Sequence, residues 1–259
     1  TKIKDKALKV LFVGYGNMAC AIAKGIDSNT NGKYTIQVCG RDRQKAQDFI
    51  QTNNLHNASS IDSAPIDIQD KIVILAIKPY GLDEFIYKGV AKSVYSVLAG
   101  VNIESLKQHI KAKSYIKLMP NVGAAFGLSS SVAFTQNADL QEVKEICESF
   151  GSVVFVDNEK LVDSSIATSG SSPAFLALIA QALIDSGVRE GLKRSDSAIL
   201  VQKTFEGVAK LLESKTPQQI IDLVTTPGGT TIEGLSVLES SAVRGAIMQA
   251  CHASVQKIK

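Results

Sequence analysis

The sequence predicts an α/β protein in which a doubly wound, mainly parallel sheet is followed by an all-helical domain. Three observations carry this. Through the first half, short apolar runs alternate with helical patterns, the signature of a parallel sheet wound with helices. The first apolar run, Val10-Leu11-Phe12-Val13, leads through a glycine turn straight into a helical pattern. From about Asp157 the strand signals stop, and Ala, Leu, Ile and Val recur at spacings of three and four. The expected division is therefore residues 1–157 for the sheet domain and 158–259 for the helical domain.

Strands are expected at 9–13, 34–39, 72–76, 94–98, 115–119, 131–134 and 153–156. Helical periodicity connects them at 18–27, 43–52, 103–110 and 140–150. Right-handed crossovers between such elements build an open doubly wound sheet. In the second domain helices are expected at 161–168, 174–186, 194–213, 217–223, 231–238 and 243–257. Pro173 and Pro217 suit first-turn positions, and Gly187 and Gly191 punctuate a helix end. The segment from Ala174 to Ile184 is apolar nearly all round, so it needs cover on every side. A partner subunit or the chain itself could provide that cover.

At 259 residues the chain has ample length for a buried core, and its 45% hydrophobic and 20% charged content is that of a soluble globular enzyme. A net charge of +3 without basic runs argues against nucleic acid as a partner. No apolar stretch is expected to reach membrane-spanning length, and no basic-then-apolar leader is read. Cys20, Cys39, Cys147 and Cys251 form no CxxC pair and have no metal-ligand spacing, so no metal is expected. Free thiols fit a reducing cytoplasm. His56, His109 and His252 fall in no motif and are read as surface or helix-end residues.

Gly14-x-Gly16-x-x-Ala19 follows a strand and opens a helix. The first Gly permits the tight turn, the second lets a pyrophosphate approach, and Ala19 keeps helix and strand close. This is the Rossmann-type dinucleotide arrangement, with the N–H groups around Asn17 and Met18 available to phosphates. At the end of the second strand the chain reads Cys39-Gly40-Arg41-Asp42-Arg43. NAD enzymes usually place an acidic residue there, whereas guanidinium groups suit a 2′-phosphate. Arg41 is the stronger candidate. Arg43 could equally be a surface charge at a helix start, and Asp42 a helix N-cap. NADPH is the expected donor, with NADH possible. The strand over 72–76 runs into Ala76-Ile77-Lys78-Pro79, which places Lys78 at the sheet edge where ligands of such folds bind.

Further motifs complete the pattern: Ala99-Gly100-Val101, Met119-Pro120-Asn121, Ser169-Gly170-Ser171-Ser172-Pro173-Ala174 and Thr226-Pro227-Gly228-Gly229-Thr230-Thr231. In these residues, and over nearly its whole length, the chain resembles the pyrroline-5-carboxylate reductases. Ala76-Ile77-Lys78-Pro79 is similar to that family's Ala-Val-Lys-Pro, and the last two segments to its Ser-Gly-Ser-x-Pro-Ala and Ser-Pro-Gly-Gly-x-Thr. The resemblance implies reduction of 1-pyrroline-5-carboxylate to L-proline, the last step of proline biosynthesis, by an NAD(P)H-dependent oxidoreductase. It implies cofactor contacts from Ala76, Lys78 and Pro79, with Ala99 and Asn121 toward the nicotinamide. Asn121 read alone could instead be a buried loop residue.

The resemblance also implies that Thr226 and the Gly229–Thr231 backbone hold the substrate carboxylate, that Thr230 lies in the same turn, and that the Thr231 hydroxyl bonds the ring nitrogen. By itself Thr231 reads as a helix cap. A glycine-rich turn opening a helix does suit a small carboxylate, because free N–H groups and a partial positive charge coincide there. Residues 158–259 would be a dimerisation and substrate domain, in a homodimer or a larger homo-oligomer such as a decamer. Phe175 replaces the family's usual Tyr, Thr226 its Ser, and Val122-Gly123-Ala124-Ala125 its Thr-Pro-Ala. The alternative reading is an NADPH-dependent reductase of another cyclic imine acid.

Overall fold

The computed structural model describes residues 7–258. The reading of the chain's start for a leader falls partly on residues 1–6, outside the described residues. The chain divides into two compact units, Thr1–Gly170 with Val255–Lys259 and Ser171–Ser254.

The first unit contains β1 (Leu8–Val13), α1 (Asn17–Asn29), β2 (Tyr34–Cys39), α2 (Arg43–Thr52), β3 (Ala58–Ser60), β4 (Ile66–Asp67), β5 (Ile72–Leu75), β6 (Tyr87–Lys88) and β7 (Ala91–Ser96). It continues with α3 (Ile103–His109), β8 (Ala112–Met119), β9 (Ser129–Gln136), α4 (Leu140–Glu148), β10 (Gly151–Phe155) and α5 (Glu159–Ser164). Eight strands form one sheet in the order β10-β9-β8-β7-β5-β1-β2-β3. Every neighbouring pair is parallel except β8 with β9. This is the doubly wound sheet that the alternation predicts. The short strand β3 extends its edge, whereas β4 and β6 pair with each other in a separate two-stranded sheet; all three are two or three residues long, with no periodic signal to betray them.

β1 lies between β2 and β5, so the winding direction reverses there and a crevice opens beyond its C-terminal end. Val10 to Val13 are fully buried because β1 is covered on both faces and flanked on both edges. One face of the sheet packs Val10, Phe12, Ile36 and Ile74 against Ile22 and Ile26 of α1. The other packs Leu11, Val13, Val73 and Leu75 with Val94, Ile103 and Leu106. Small residues let α1 lie close: a Cβ at Gly25 would stand 2.7 Å from the Phe150 Cβ. Asp42 caps α2 by accepting from the Lys45 N–H, the N-cap role that the sequence offered it.

The second unit holds α6 (Ser172–Arg189), α7 (Arg194–Leu212), α8 (Pro217–Val224), α9 (Thr230–Ser240) and most of α10 (Val243–Gln256). Pro173 and Pro217 stand in first turns, and Thr216 with Gln219 closes a capping box ahead of α8. Gly191, at φ +102°, follows the end of α6 as expected. Gly187 does not mark that end. It lies inside α6, where a Cβ would stand 2.2 Å from the Ser197 Oγ, so its absent side chain admits α7.

No described residue of α6, α8, α9 or α10 is buried, and Ser197 alone is buried in α7. The apolar circumference of α6 is therefore not covered by its own chain. Contrary to the sequence expectation, one run, Glu159–Arg189, is long and apolar enough to cross a membrane by length and composition. It is not one regular helix, since turns between 165 and 171 separate α5 from α6.

Candidate active site

The turn after β1 is fixed by two demands on Gly14. Its φ is +109°, and a Cβ there would stand 2.4 Å from the Ala76 carbonyl oxygen. Either alone disfavours a side chain. Gly14 N–H donates to the Cys39 carbonyl (2.9 Å) and Ala76 N–H to that of Val13 (2.9 Å), so the ends of β1, β2 and β5 are tied together. Gly16 is the N-cap of α1 with no side-chain cap, and nothing lies within 4 Å of where its Cβ would be. The first N–H groups of α1 thus face open space at the positive end of a helix.

A cavity of about 260 Å³ opens at this turn. Its walls include Gly14 and Gly16, Gly40 and Arg41 from the end of β2, and Ala76 and Lys78 from beyond β5. Pro79 opens the single-turn 3₁₀ helix Pro79–Glu84, which adds Tyr80 and Glu84 to the same wall. Five residues picked from the sequence are thereby brought together: Gly14, Gly16, Arg41, Ala76 and Lys78. Asn17 and Met18 instead line a second cavity of about 370 Å³, with Lys24, Val122 and Ala125. The sequence missed Tyr15, Tyr80 and Glu84. No local pattern marks them, because chain folding alone brings the 3₁₀ turn beside the end of β2.

The charges of Arg41-Asp42-Arg43 are spent differently. Arg41 Nε lies 3.1 Å from Glu84 Oε2, whereas Arg43 Nη1 lies 2.7 Å from Asp62 Oδ1 at the surface. Arg43 is not among the residues lining the cavity, in keeping with its reading as a helix-start charge. Burial pushes the Cys39 thiol at the end of β2 up to about 12, so it stays protonated and serves as a small apolar filler.

Ala99 and Asn121 line neither cavity. The Asn121 carboxamide braces its own loop: Oδ1 accepts from the Gly123 N–H (3.1 Å) and Nδ2 donates to the Ser169 carbonyl (3.1 Å). Beside Ala99, the Gly100 N–H donates to Asp163 Oδ1 (3.3 Å), whose other oxygen pairs with Lys117 Nζ (2.6 Å). Lys117 is 2% exposed, a buried cation that the sequence did not flag. Gly100, Lys117 and Asp163 line a third cavity, of about 710 Å³.

On the helical unit, Thr226–Thr231 forms the turn that opens α9. Gly228 takes φ +70°, and the Gly229 N–H donates to the Thr226 carbonyl (2.9 Å). A Cβ on Gly229 would stand 2.4 Å from Thr226 Oγ1, so the hydroxyl closes over the glycine. Gly229 is the N-cap, and no side chain caps the helix. Thr231 is accordingly the second helical residue and not the cap, which leaves its half-buried hydroxyl uncommitted to the helix end. The first N–H groups of α9 form an anion-accepting end.

With this geometry in hand, comparisons with known proteins become decisive. A family description, Pyrroline-5-carboxylate reductase dimerisation, matches residues 159–259. A second, NADP oxidoreductase coenzyme F420-dependent, matches residues 9–100. The pyrroline-5-carboxylate reductase of Helicobacter pylori (strain J99 / ATCC 700824) is 46% identical over 96% of this chain and 98% of its own length. The chain belongs to the pyrroline-5-carboxylate reductase family. A relative in that family from Aquifex aeolicus (strain VF5) is 33% identical over 97% of both chains. The solved reductase from Streptococcus pyogenes superposes with a TM-score of 0.82 at 27% identity, covering 97% of this chain and 98% of that one. The Plasmodium falciparum pyrroline carboxylate reductase, solved with NADP bound, gives 0.77 at 26% identity over 97% of each. The family resemblance and the Rossmann-type fold read from the sequence both hold.

Proposed function

We propose that this chain reduces 1-pyrroline-5-carboxylate to L-proline with NADPH as donor, the last step of proline biosynthesis. The observation that carries the reading is the 46% identity to a pyrroline-5-carboxylate reductase over nearly the full length of both chains. The cavity beyond β1 fits a dinucleotide. Gly14 and Gly16 clear its floor, uncapped N–H groups of α1 suit phosphate oxygens, and Arg41 and Lys78 supply positive charge. When bound, the dihydronicotinamide supplies the hydride. In this assignment Ala76, Lys78 and Pro79 hold the cofactor chain, Asn17 and Met18 the phosphates, and Ala99 and Asn121 shape the nicotinamide end.

The substrate is an anion with a C=N bond. The Thr230 and Thr231 N–H groups donate to its carboxylate, Thr226 and Gly229, whose own N–H is spent on the Thr226 carbonyl, frame the turn, and the Thr231 hydroxyl accepts from the protonated ring nitrogen. A protonated imine is already a good hydride acceptor, so the site needs no strong acid. Holding reactants in register can supply on the order of 7–11 kcal/mol. The protein's work is positioning, and no metal is required.

Residues 158–259 are assigned as the dimerisation and substrate domain and 1–157 as the dinucleotide domain, with the dimerisation match beginning at residue 159. Homodimerisation gives α6 the cover its own chain withholds; larger forms up to a decamer would be assembled from such dimers. A cytoplasmic setting accords with cysteines held outside disulfides, Cys39 and Cys147 among them buried. The test is loss of reduced-nicotinamide absorbance on adding 1-pyrroline-5-carboxylate, run with NADPH and with NADH. Substrate-dependent oxidation, faster with NADPH, is expected. Oxidation only with a six-membered cyclic imine acid would replace the substrate, and none with either would overturn the reading.

A further inference from the structure

Of the three charged residues Arg41-Asp42-Arg43, two are committed away from the cavity: Asp42 caps α2 and Arg43 pairs with Asp62. Arg41 remains at the cavity wall, yet it is not free either. Its Nε lies 3.1 Å from Glu84 Oε2, and Glu84 is the acidic residue among those lining the cavity. The two residues are distant in sequence. One lies two residues beyond the end of β2, and the other closes the 3₁₀ helix that follows Lys78.

We propose that Glu84 sets the balance between the two nicotinamide donors by competing with a 2′-phosphate for the Arg41 guanidinium. This rests on the dinucleotide reading of the same cavity. A guanidinium at the end of the second strand favours a 2′-phosphate, and a carboxylate there favours the ribose hydroxyls of NADH. This chain holds both, in contact. The carboxylate occupies one N–H of Arg41, lowers the positive potential that a phosphate meets, and leaves an oxygen able to accept from a 2′-hydroxyl. The pair therefore moderates the preference for NADPH and keeps NADH usable. Both side chains are substantially exposed, 67% for Arg41 and 35% for Glu84, so solvent weakens the competition without abolishing it.

The test is Glu84→Gln, which removes the charge and keeps the shape and an acceptor oxygen. The chain has no tryptophan, so the emission of added NADPH or NADH reports binding directly. The Kd for NADPH should fall about five- to tenfold, and that for NADH should move less than about twofold. Asp62→Asn makes the same charge change outside the cavity and should shift neither by more than about twofold. Parallel shifts for both donors, an unchanged or weaker NADPH affinity, or an Asp62→Asn effect equal to that of Glu84→Gln would each overturn the proposal. If the unaltered protein binds neither donor, the dinucleotide reading falls and takes this proposal with it. If it binds both and the shift is missing, only the proposal falls.

Discussion

In the sheet unit, Val10, Phe12, Ile22, Ile74 and Ile116 are almost wholly out of water, and two apolar layers sandwich the strands. In the helical unit, Leu178 is 72% exposed, Met248 68% and Val237 63%. Both units are rich in regular secondary structure, so helix or strand content alone does not locate the source of stability. The sheet unit buries a core of its own, at about 1.5–3 kcal/mol for each large side chain, although Phe126 and Leu128 beside it stay exposed. The helical unit leaves that surface for another molecule, as its match to a dimerisation family requires. Accordingly, the cavity beyond β1 is built on a unit with its own core, whereas the glycine turn that opens α9 sits on helices that leave apolar surface exposed.

The comparison breaks most sharply at the helical surface. Leu178→Asp places a charge on the face of α6 that the chain leaves bare, and should weaken subunit association by a hundredfold or more, about 3 kcal/mol. Analytical ultracentrifugation would detect the loss of the assembly; an unchanged mass would show that this face is not the interface. On the sheet side, Gly14→Ala forces a Cβ against the Ala76 carbonyl at positive φ. It should cost several kcal/mol, read as a lower Tm and a loss of NADPH binding, with the oligomer retained.

Asp163→Asn leaves Lys117 buried without its counter-charge, and should lower stability by about 3 kcal/mol, or a Tm fall of roughly 6–10 °C. Lys117→Met combined with Asp163→Asn should recover most of that, and thermal melts of the three variants decide it. Thr231→Ala should lower turnover about tenfold or more while leaving NADPH affinity within about twofold, because the proposed role of that hydroxyl is toward the substrate's nitrogen and not the cofactor. Equal turnover would remove the hydroxyl from the mechanism. The smallest effect belongs to Arg41→Ala, expected to weaken NADPH by about fivefold and NADH by less than twofold in titrations.

The parts of the molecule visible in the sequence are those whose cause is local. A glycine turn between an apolar run and a helix, and a proline in a first turn, both write their geometry into adjacent positions. The contrast between the units was also legible, since a helix apolar on every side announces a need for cover. What stayed hidden is non-local. Arg41 with Glu84, and Lys117 with Asp163, join residues from separate elements, and no spacing rule pairs them. Gly187 misled because a glycine near a helix end ordinarily marks that end, and here it makes room for Ser197 of α7. Asn121 reads as a cofactor contact, with a buried loop residue as the alternative, and its bond to the Ser169 carbonyl stayed hidden for a related reason: only the folded chain brings Ser169 near.

Hydride transfer to the C=N carbon of 1-pyrroline-5-carboxylate is tested most directly by turning over that substrate with NADPH carrying deuterium at both C4 positions and examining the product by NMR. The account predicts L-proline carrying a single deuterium at C5. Proline without the label, or consumption of NADPH with no proline formed, would contradict it.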